Sequence, residues 1–151
     1  MSAPGLNSET ANDYTPYAVG GGTSLHFASN RESGETTSDI WRATWNSAAF
    51  DAPAKVAGAD LVTASEESNP VVTPDELTLF FDSNRVDELD IYVATRASTD
   101  DDFGPAALLA DLSSADLDAP NWISADGCVL YPTQRVGPSR TYKIFVTTRS
   151  P

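Results

Sequence analysis

The chain contains one histidine, His26, and this residue is the first to test for catalysis because a catalytic triad needs an imidazole as its general base. His26 lies between Leu25 and Phe27 in an alternating apolar segment that is typical of a strand. The sequence has no Gly-x-Ser-x-Gly segment, which would mark the nucleophile elbow of a hydrolase. We therefore expect a structural imidazole, with contact to a ligand as the alternative, and no catalytic residues or peptidase chemistry in this chain.

The densest acidic segment is Asp100-Asp101-Asp102, and carboxylates are ligands that calcium prefers. A calcium loop usually places its ligands at alternate positions with a glycine among them, whereas adjacent aspartates in an extended loop point in different directions. We therefore expect a solvated loop and no cofactor. A weak divalent-cation site, such as a calcium site, is the alternative.

Two aromatic residues, Trp45 and Tyr142, do not fit the alternation of the strands beside them. Large amphipathic rings outside the core register are common recognition residues. We expect both to be exposed, and we group them with His26 as candidate ligand-binding residues. The one cysteine, Cys128, excludes an intrachain disulfide and lies at an alternating strand position, so we expect a buried structural thiol.

The composition argues against two classes of partner. The formal net charge is −13, whereas nucleic acids and anionic membrane surfaces attract clusters of lysine and arginine. No apolar run is long enough to span a bilayer. The first residues, Met1-Ser2-Ala3-Pro4-Gly5, have neither the basic nor the apolar region of a secretory signal. We expect no nucleic-acid partner, no membrane insertion and no signal peptide in this chain.

The elements that position these residues are three copies of one hairpin pattern. In each copy, an alternating strand ends in a polar loop with an arginine, and a second strand follows. The arginines are Arg31, Arg85 and Arg135, so the pattern recurs about every 50 residues, which indicates a repeat architecture. The hairpin strands are expected at residues 24–29, 39–45, 78–83, 90–96, 128–133 and 143–149.

Further strands complete each unit. A short strand precedes each hairpin, and a fourth, outer strand is expected at residues 50–57 and 103–110, whereas the third copy lacks such a segment. Asp126-Gly127 predicts a two-residue type I′ turn, and no segment has the period of a helix. The predicted fold class is all-β. It consists of three four-stranded antiparallel β-propeller blades, the third without its outer strand, in the ranges 14–60, 61–111 and 112–151.

The repeated arginines suggest a structural role. Arg31 and Arg85 are each followed, at the start of the next strand, by an aspartate, Asp39 or Asp90. We expect each pair to make contact across the loop and to hold its two strands in register. The third copy has a lysine at this place, so Arg135 is expected to find another partner.

Residues 73–85 read Thr-Pro-Asp-Glu-Leu-Thr-Leu-Phe-Phe-Asp-Ser-Asn-Arg, and residues 90–96 read Asp-Ile-Tyr-Val-Ala-Thr-Arg. These segments resemble the TolB-type, WD-repeat-like β-propeller repeat. That repeat commonly reads Ser-Pro-Asp-Gly-x-x-Leu-Tyr-Phe-x-Ser-x-Arg, followed by Asp-Ile-Tyr. The resemblance implies a ligand- or protein-binding platform of the bacterial envelope or periplasm, or a domain attached to a peptidase. It implies no activity, because a propeller is a scaffold.

Three blades are too few for a closed ring, because propellers usually contain four to eight blades. We expect either a homodimer that closes a six-bladed ring or a chain that is part of a longer propeller. The expected function is that of a non-enzymatic binding or assembly module, which presents a propeller face or loops to a protein or a small ligand. The alternative is a fragment of a larger propeller protein with hydrolase or lyase activity.

Overall fold

The computed structural model describes residues 5–32, 36–137, 139 and 141–148, and these form three four-stranded antiparallel sheets. The predicted all-β fold of propeller-type blades is confirmed. Blade 1 contains β1 (Asp13–Val19), β2 (Ser24–Ser29), β3 (Asp39–Thr44) and β4 (Ala54–Lys55). Blade 2 contains β5 (Glu67–Val72), β6 (Thr78–Ser83), β7 (Asp90–Thr95) and β8 (Ala107–Leu108). Blade 3 contains β9 (Asp118–Ile123), β10 (Val129–Val136), β11 (Thr141–Ile144) and β12 (Thr147–Thr148).

The described part of the chain contains only two helical segments, the three-residue 310 turns Gly20–Gly22 and Ala110–Leu112. Neither is long and apolar enough to cross a membrane.

The third blade differs from the other two at its outer edge. Blades 1 and 2 each run in sequence order from the first strand to the fourth. In blade 3, β11 and β12 both pair with β10, so they are two halves of one third strand. Among the described residues no strand pairs beyond them, so the described part of blade 3 has three strand positions where blades 1 and 2 have four.

The core lies between the blades. Leu79 and Phe81 of β6 pack in a cluster with Ile40 of blade 1, whereas Phe80, which points to the opposite face of the same strand, packs with Leu130 of blade 3. Strands are apolar on both faces when both faces are covered. The strands of the middle blade are therefore apolar on both faces because a neighbouring blade covers each face.

The turn at Asp126-Gly127 differs from the prediction. A type I′ turn needs a positive φ at both central residues, but of these two only Gly127 has one, at 69°. The loop instead has four residues between Ser124 and Val129, and the Gly127 N–H donates to the Ser124 carbonyl at 2.9 Å. The Asp126 carboxylate accepts from the Cys128 N–H at 3.0 Å, so the aspartate stabilises the turn through its side chain.

The repeat arginine of blade 1 does not contact the predicted aspartate. Arg31 donates to Asp13 Oδ1 on β1 at 2.6 Å, and Asp39 instead accepts from Lys55 at 2.8 Å. The guanidinium group turns back toward β1 across the face of Trp41, 4.8 Å from the ring centroid, where cation–π attraction stabilises it. The predicted contact between Arg31 and Asp39 is therefore wrong.

The arginines of blades 2 and 3 also contact acids near the start of their own blades. Arg85 donates to Glu67 Oε1 at 3.2 Å, so the predicted contact with Asp90 is wrong as well. Arg135 finds another partner, as expected, and donates to Asp116 Oδ1 at 3.1 Å. In each blade the arginine thus ties the second strand to the segment that begins the blade.

Candidate functional site

A polar cleft of about 260 Å³ lies between blades 1 and 2. Its lining comes from β2, β3 and the segment around β4 in blade 1, and from the loop after β7 in blade 2. The charged and ionisable residues of the lining are His26, Arg42, Asp51, Lys55, Arg96, Asp100, Asp101 and Asp102. The cleft therefore brings together two of the predicted candidates, the histidine and the acidic loop.

His26 lines the cleft with a side chain that is 0% exposed. Neither ring nitrogen has a hydrogen-bond partner among the described residues, and Glu76 Oε2 lies 4.0 Å from Nε2. Burial lowers the pKa of His26 from 6.5 to about 4, although the Glu76 carboxylate opposes this shift. The imidazole is therefore neutral at pH 7 and leaves one donor and one acceptor unsatisfied at the cleft.

Glu76 connects the two blades through its carboxylate. It lies in the turn between β5 and β6 and accepts from Arg42 Nε at 2.9 Å and from Ser24 Oγ at 3.2 Å, both in blade 1. Its backbone has a φ of 57°, a left-handed conformation that favours glycine, and the corresponding turn of blade 3 has Gly127 with a φ of 69°. Such strain costs about 1–3 kcal/mol. The chain thus keeps a strained residue where its side chain holds two blades together.

Arg96 is the cation that blade 2 contributes. Its Nε donates to the Glu76 carbonyl at 2.8 Å, its Nη1 donates to the Thr99 carbonyl at 3.1 Å, and the guanidinium lies 4.5 Å from the Phe103 ring centroid. Its Nη2 is buried, 3.8 Å from Glu76 Oε2, without a hydrogen-bond partner in the described part of the chain. Burial lowers the pKa of Arg96, which still carries its charge at neutral pH. Arg96 Nη2 and the two ring nitrogens of His26 are therefore buried polar atoms beneath the cleft that no described residue satisfies.

The acidic loop lies at the same cleft, with its three carboxylates on the surface. Asp100, Asp101 and Asp102 are all exposed, and Asp101 accepts from Ser98 Oγ at 3.0 Å. Within the described ranges, no three His, Cys, Asp or Glu side chains are grouped so that they could hold a metal ion. The calcium alternative gains no support from this geometry and stays a prediction.

The other two candidate ligand-binding residues lie elsewhere. Trp45 and Tyr142 are 41% and 58% exposed. Trp45 packs edge-to-face on Phe50, with 5.2 Å between the ring centroids, and Tyr142 lies on β11 of blade 3. Neither lines the cleft, so the structure does not bring the three candidates together, and the roles of these two residues as ligand contacts stay predictions.

Sequence reasoning missed the two arginines and the glutamate of this network. One signal was available, because the TolB-type repeat commonly has glycine where this chain has Glu76. A second signal lies in the register. His26 faces Arg42 across β2 and β3, whereas the corresponding residues of blade 2 are Phe80 and Val93. A comparison of the repeats position by position would have shown a polar pair in place of an apolar one.

A larger groove of about 630 Å³ lies between blades 2 and 3. Its apolar lining includes Phe80, Val93, Leu109, Ile123 and Leu130. Cys128 also lines it and is half-buried, whereas the sequence predicted a buried thiol. The two blade interfaces thus carry a small polar cleft and a large apolar groove.

No protein-family profile matches the sequence, and no curated protein sequence matches it. Among solved structures, the chain is similar to the crystal structure of TolB from Acinetobacter baumannii, with a TM-score of 0.57 and 13% sequence identity. The similarity covers 91% of this chain and 30% of the TolB chain, so this chain spans less than a third of the length of TolB. A likeness at this identity shows the fold alone, and the three blades have a TolB-like β-propeller fold.

Proposed function

We propose that this protein is a non-enzymatic binding or assembly module built from TolB-like propeller repeats. The observation that carries the proposal is an apolar surface on blade 3, which we name the outer face of blade 3. It consists of Trp122, Tyr131, Ile144 and Val146, with exposed fractions of 47%, 41%, 78% and 60%. Contiguous exposed apolar surface is uncommon on soluble monomeric domains and marks interaction sites.

The corresponding face of blade 2 is buried. Trp122 and Tyr131 pair across β9 and β10 in the way that Val71 and Phe80 pair across β5 and β6. Val71 and Phe80 are only 1% and 8% exposed, because they pack against Leu130 and its neighbours in blade 3. This correspondence supports a blade-stacking role for the outer face of blade 3.

Two partners would cover this face. A second copy could stack head to tail, so that two copies close a six-bladed ring about a two-fold axis. The alternative partner is the rest of a longer propeller, in keeping with the 30% of the TolB chain that the similarity covers. In either assembly, a protein or a small ligand would bind at a propeller face or in the polar cleft, with His26, Trp45 and Tyr142 as candidate contacts.

We propose no enzymatic activity for this chain. A general base must lie within hydrogen-bond reach of the proton it takes, and His26 has no hydroxyl partner among the described residues. Hydrolase or lyase activity in a larger propeller protein remains the alternative. The repeat resemblance supports a location in the bacterial envelope or periplasm, and the net charge of −13 supports the absence of a nucleic-acid partner.

Light scattering on a sizing column, over a range of protein concentrations, tests the proposed self-association. The expected result is a dimer of the 16.1 kDa chain, which Tyr131→Asp on the outer face of blade 3 converts to a monomer. Val86→Asp is the matched control, because Val86 is 78% exposed in the loop between β6 and β7 and should leave the dimer intact. A wild-type monomer at every concentration would refute ring closure by two copies and leave the longer propeller as the explanation.

A further inference from the structure

The groove between blades 2 and 3 corresponds to a space that is filled at the preceding blade interface. Between blades 1 and 2 that space holds Phe103, which is 3% exposed and packs in the core cluster with Ile40 and Val56. Between blades 2 and 3 the groove stays open, with a volume of about 630 Å³. The two interfaces therefore differ by one aromatic segment.

Main-chain hydrogen bonds hold the Phe103 segment in place. The Phe103 N–H donates to the Ala57 carbonyl at 3.0 Å, and the Phe103 carbonyl accepts from the Ala59 N–H at 3.1 Å. The Gly104 N–H then donates to the Thr95 carbonyl at 2.8 Å, and β8, which follows, pairs with β7. An aromatic anchor and a short outer strand thus complete blade 2 together.

The counterparts of the residues that dock Phe103 can be identified at the next interface. The N–H groups of Val56 and Leu109 each donate to the third strand of their own blade at 2.8 Å, which makes Ala110–Leu112 the counterpart of residues 57–59. There, however, the chain forms a 310 turn in which the Leu112 N–H donates to the Leu109 carbonyl at 2.9 Å. The main-chain groups of residues 57–59 bind the Phe103 segment, whereas those of Ala110–Leu112 make hydrogen bonds within their own turn.

We propose that this groove binds an extended peptide segment, which supplies an aromatic anchor and then an outer strand to blade 3. The segment has the chemistry of residues 103–108, namely an aromatic residue, glycine, proline, and small or aliphatic residues. Its ring fills the groove beside Phe80 and Leu130. The following residues pair with the edge of β12 that no described strand covers, as β8 pairs with β7. The charge of −13 favours a neutral or basic peptide over an acidic one.

The groove is separate from the outer face of blade 3, so this proposal does not depend on ring closure. The probe is a fluorescein-labelled synthetic peptide with the sequence of residues 103–109 and two added C-terminal lysines. Fluorescence anisotropy measures its binding, and a peptide with alanine in place of the phenylalanine is the control. We expect saturable binding that is at least about tenfold weaker for the alanine peptide. Bound peptide should also slow the alkylation of Cys128, which lines the groove.

A pair of variants places the binding site. Ala110 is exposed and lines the groove, so Ala110→Arg should abolish binding, whereas Ala48→Arg, at an exposed alanine of the loop between β3 and β4, should leave it unchanged. Circular dichroism confirms that each variant is folded. If Ala110→Arg fails to fold, two measurements on the wild type test the proposal instead. These are the difference in affinity between the phenylalanine and alanine peptides, and the slower alkylation of Cys128 when peptide is bound. The absence of saturable binding up to about 1 mM, or equal binding of the alanine peptide, would overturn the proposal.

Discussion

The three repeat arginines can be removed one at a time to test what their contacts contribute to stability. Arg85, Arg31 and Arg135 each contact a carboxylate in their own blade, but those carboxylate side chains are 0%, 13% and 35% exposed, respectively. We expect the free energy of unfolding to fall most for Arg85→Ala, less for Arg31→Ala and least for Arg135→Ala. The reason is that the charge left without a partner lies progressively nearer to water.

The expected loss in the free energy of unfolding for Arg85→Ala follows from the environment of Glu67. This carboxylate keeps hydrogen bonds from Thr63 Oγ1 at 2.6 Å and from Ser83 Oγ at 2.9 Å, but it loses the positive charge of Arg85. Breaking a buried ion pair by removing one partner costs about 3–5 kcal/mol. Because the hydrogen bonds from Thr63 and Ser83 remain, we expect a loss at the lower end of this range, about 3 kcal/mol. We expect about 1–2 kcal/mol for Arg31→Ala and about 0.5 kcal/mol for Arg135→Ala.

The loss caused by Arg85→Ala should also depend on pH. The positive charge of Arg85 lowers the pKa of Glu67, so removing it raises a folded-state pKa that burial has already raised above the unfolded value. A carboxyl group of this kind destabilises the folded protein when it is ionised, and protonation removes the penalty. The loss is therefore complete above the folded-state pKa of the variant and shrinks as the pH falls through it.

Urea unfolding, followed by circular dichroism at pH 7 and at pH 5, measures these free energies. Arg85→Met is the control for packing, because it keeps an alkyl chain over the neighbouring aromatic rings and should lose nearly as much stability as Arg85→Ala. Equal losses for the three alanine variants would refute the argument that the burial of the acceptor sets the value of the contact. A loss for Arg85→Ala that does not change between the two pH values would refute the role assigned to the Glu67 charge.

Three further predictions concern the polar cleft. His26→Phe should raise the stability at pH 7 by about 1 kcal/mol, because the imidazole leaves two buried nitrogens unpaired. The same variant should remove the part of the pH dependence that comes from His26, namely a loss of stability as the pH falls from 6.5 toward about 4, since the unfolded imidazole binds a proton that the folded one excludes. Urea unfolding from pH 4 to pH 7 checks both statements, and an identical pH profile in the variant would contradict them. Glu76→Gly should relax the turn but remove the carboxylate that pairs with Arg42 and Arg96, so trypsin should cleave after Arg96 at least about tenfold faster than in the wild type. Equal cleavage rates would mean that the carboxylate does not hold this loop. Millimolar calcium should shift the melting temperature by less than about 1 °C. A concentration-dependent rise that Asp101→Asn removes would instead establish the cation site.

The architecture follows from local patterns that the sequence displays directly. Alternating side chains and turn residues define each hairpin, so the expected strands agree with β2, β3, β6 and β7 to within one residue at either end. The outer strands are shorter than the expected segments 50–57 and 103–110, because only Ala54–Lys55 and Ala107–Leu108 pair with the neighbouring strand. The number of residues that reach a partner depends on the path of the chain, which alternation does not encode.

The contacts of the candidate site depend on residues that are far apart in the chain. Arg31 was expected to contact the acid that follows it, but β1 lies beside β2, which brings an acid 18 positions away within 2.6 Å. Glu76 and Arg42 are 34 positions apart and meet only because blade 2 stacks on blade 1. Repeat periodicity predicts that blades stack, but it does not state which side chains face each other across the stack.

The contact between Glu76 and Arg42 also affects which blades stack on each other during folding. Neighbouring repeats of similar sequence are prone to exchange partners during folding. Here the turn of blade 2 carries Glu76, which meets the cation Arg42 on blade 1 but would meet Val93 on a second copy of blade 2. An unpaired carboxylate buried against an apolar surface costs several kcal/mol, so that mismatched stack is disfavoured. A few charged residues at the interfaces can thus determine which blade stacks on which, while the hairpins themselves stay nearly alike.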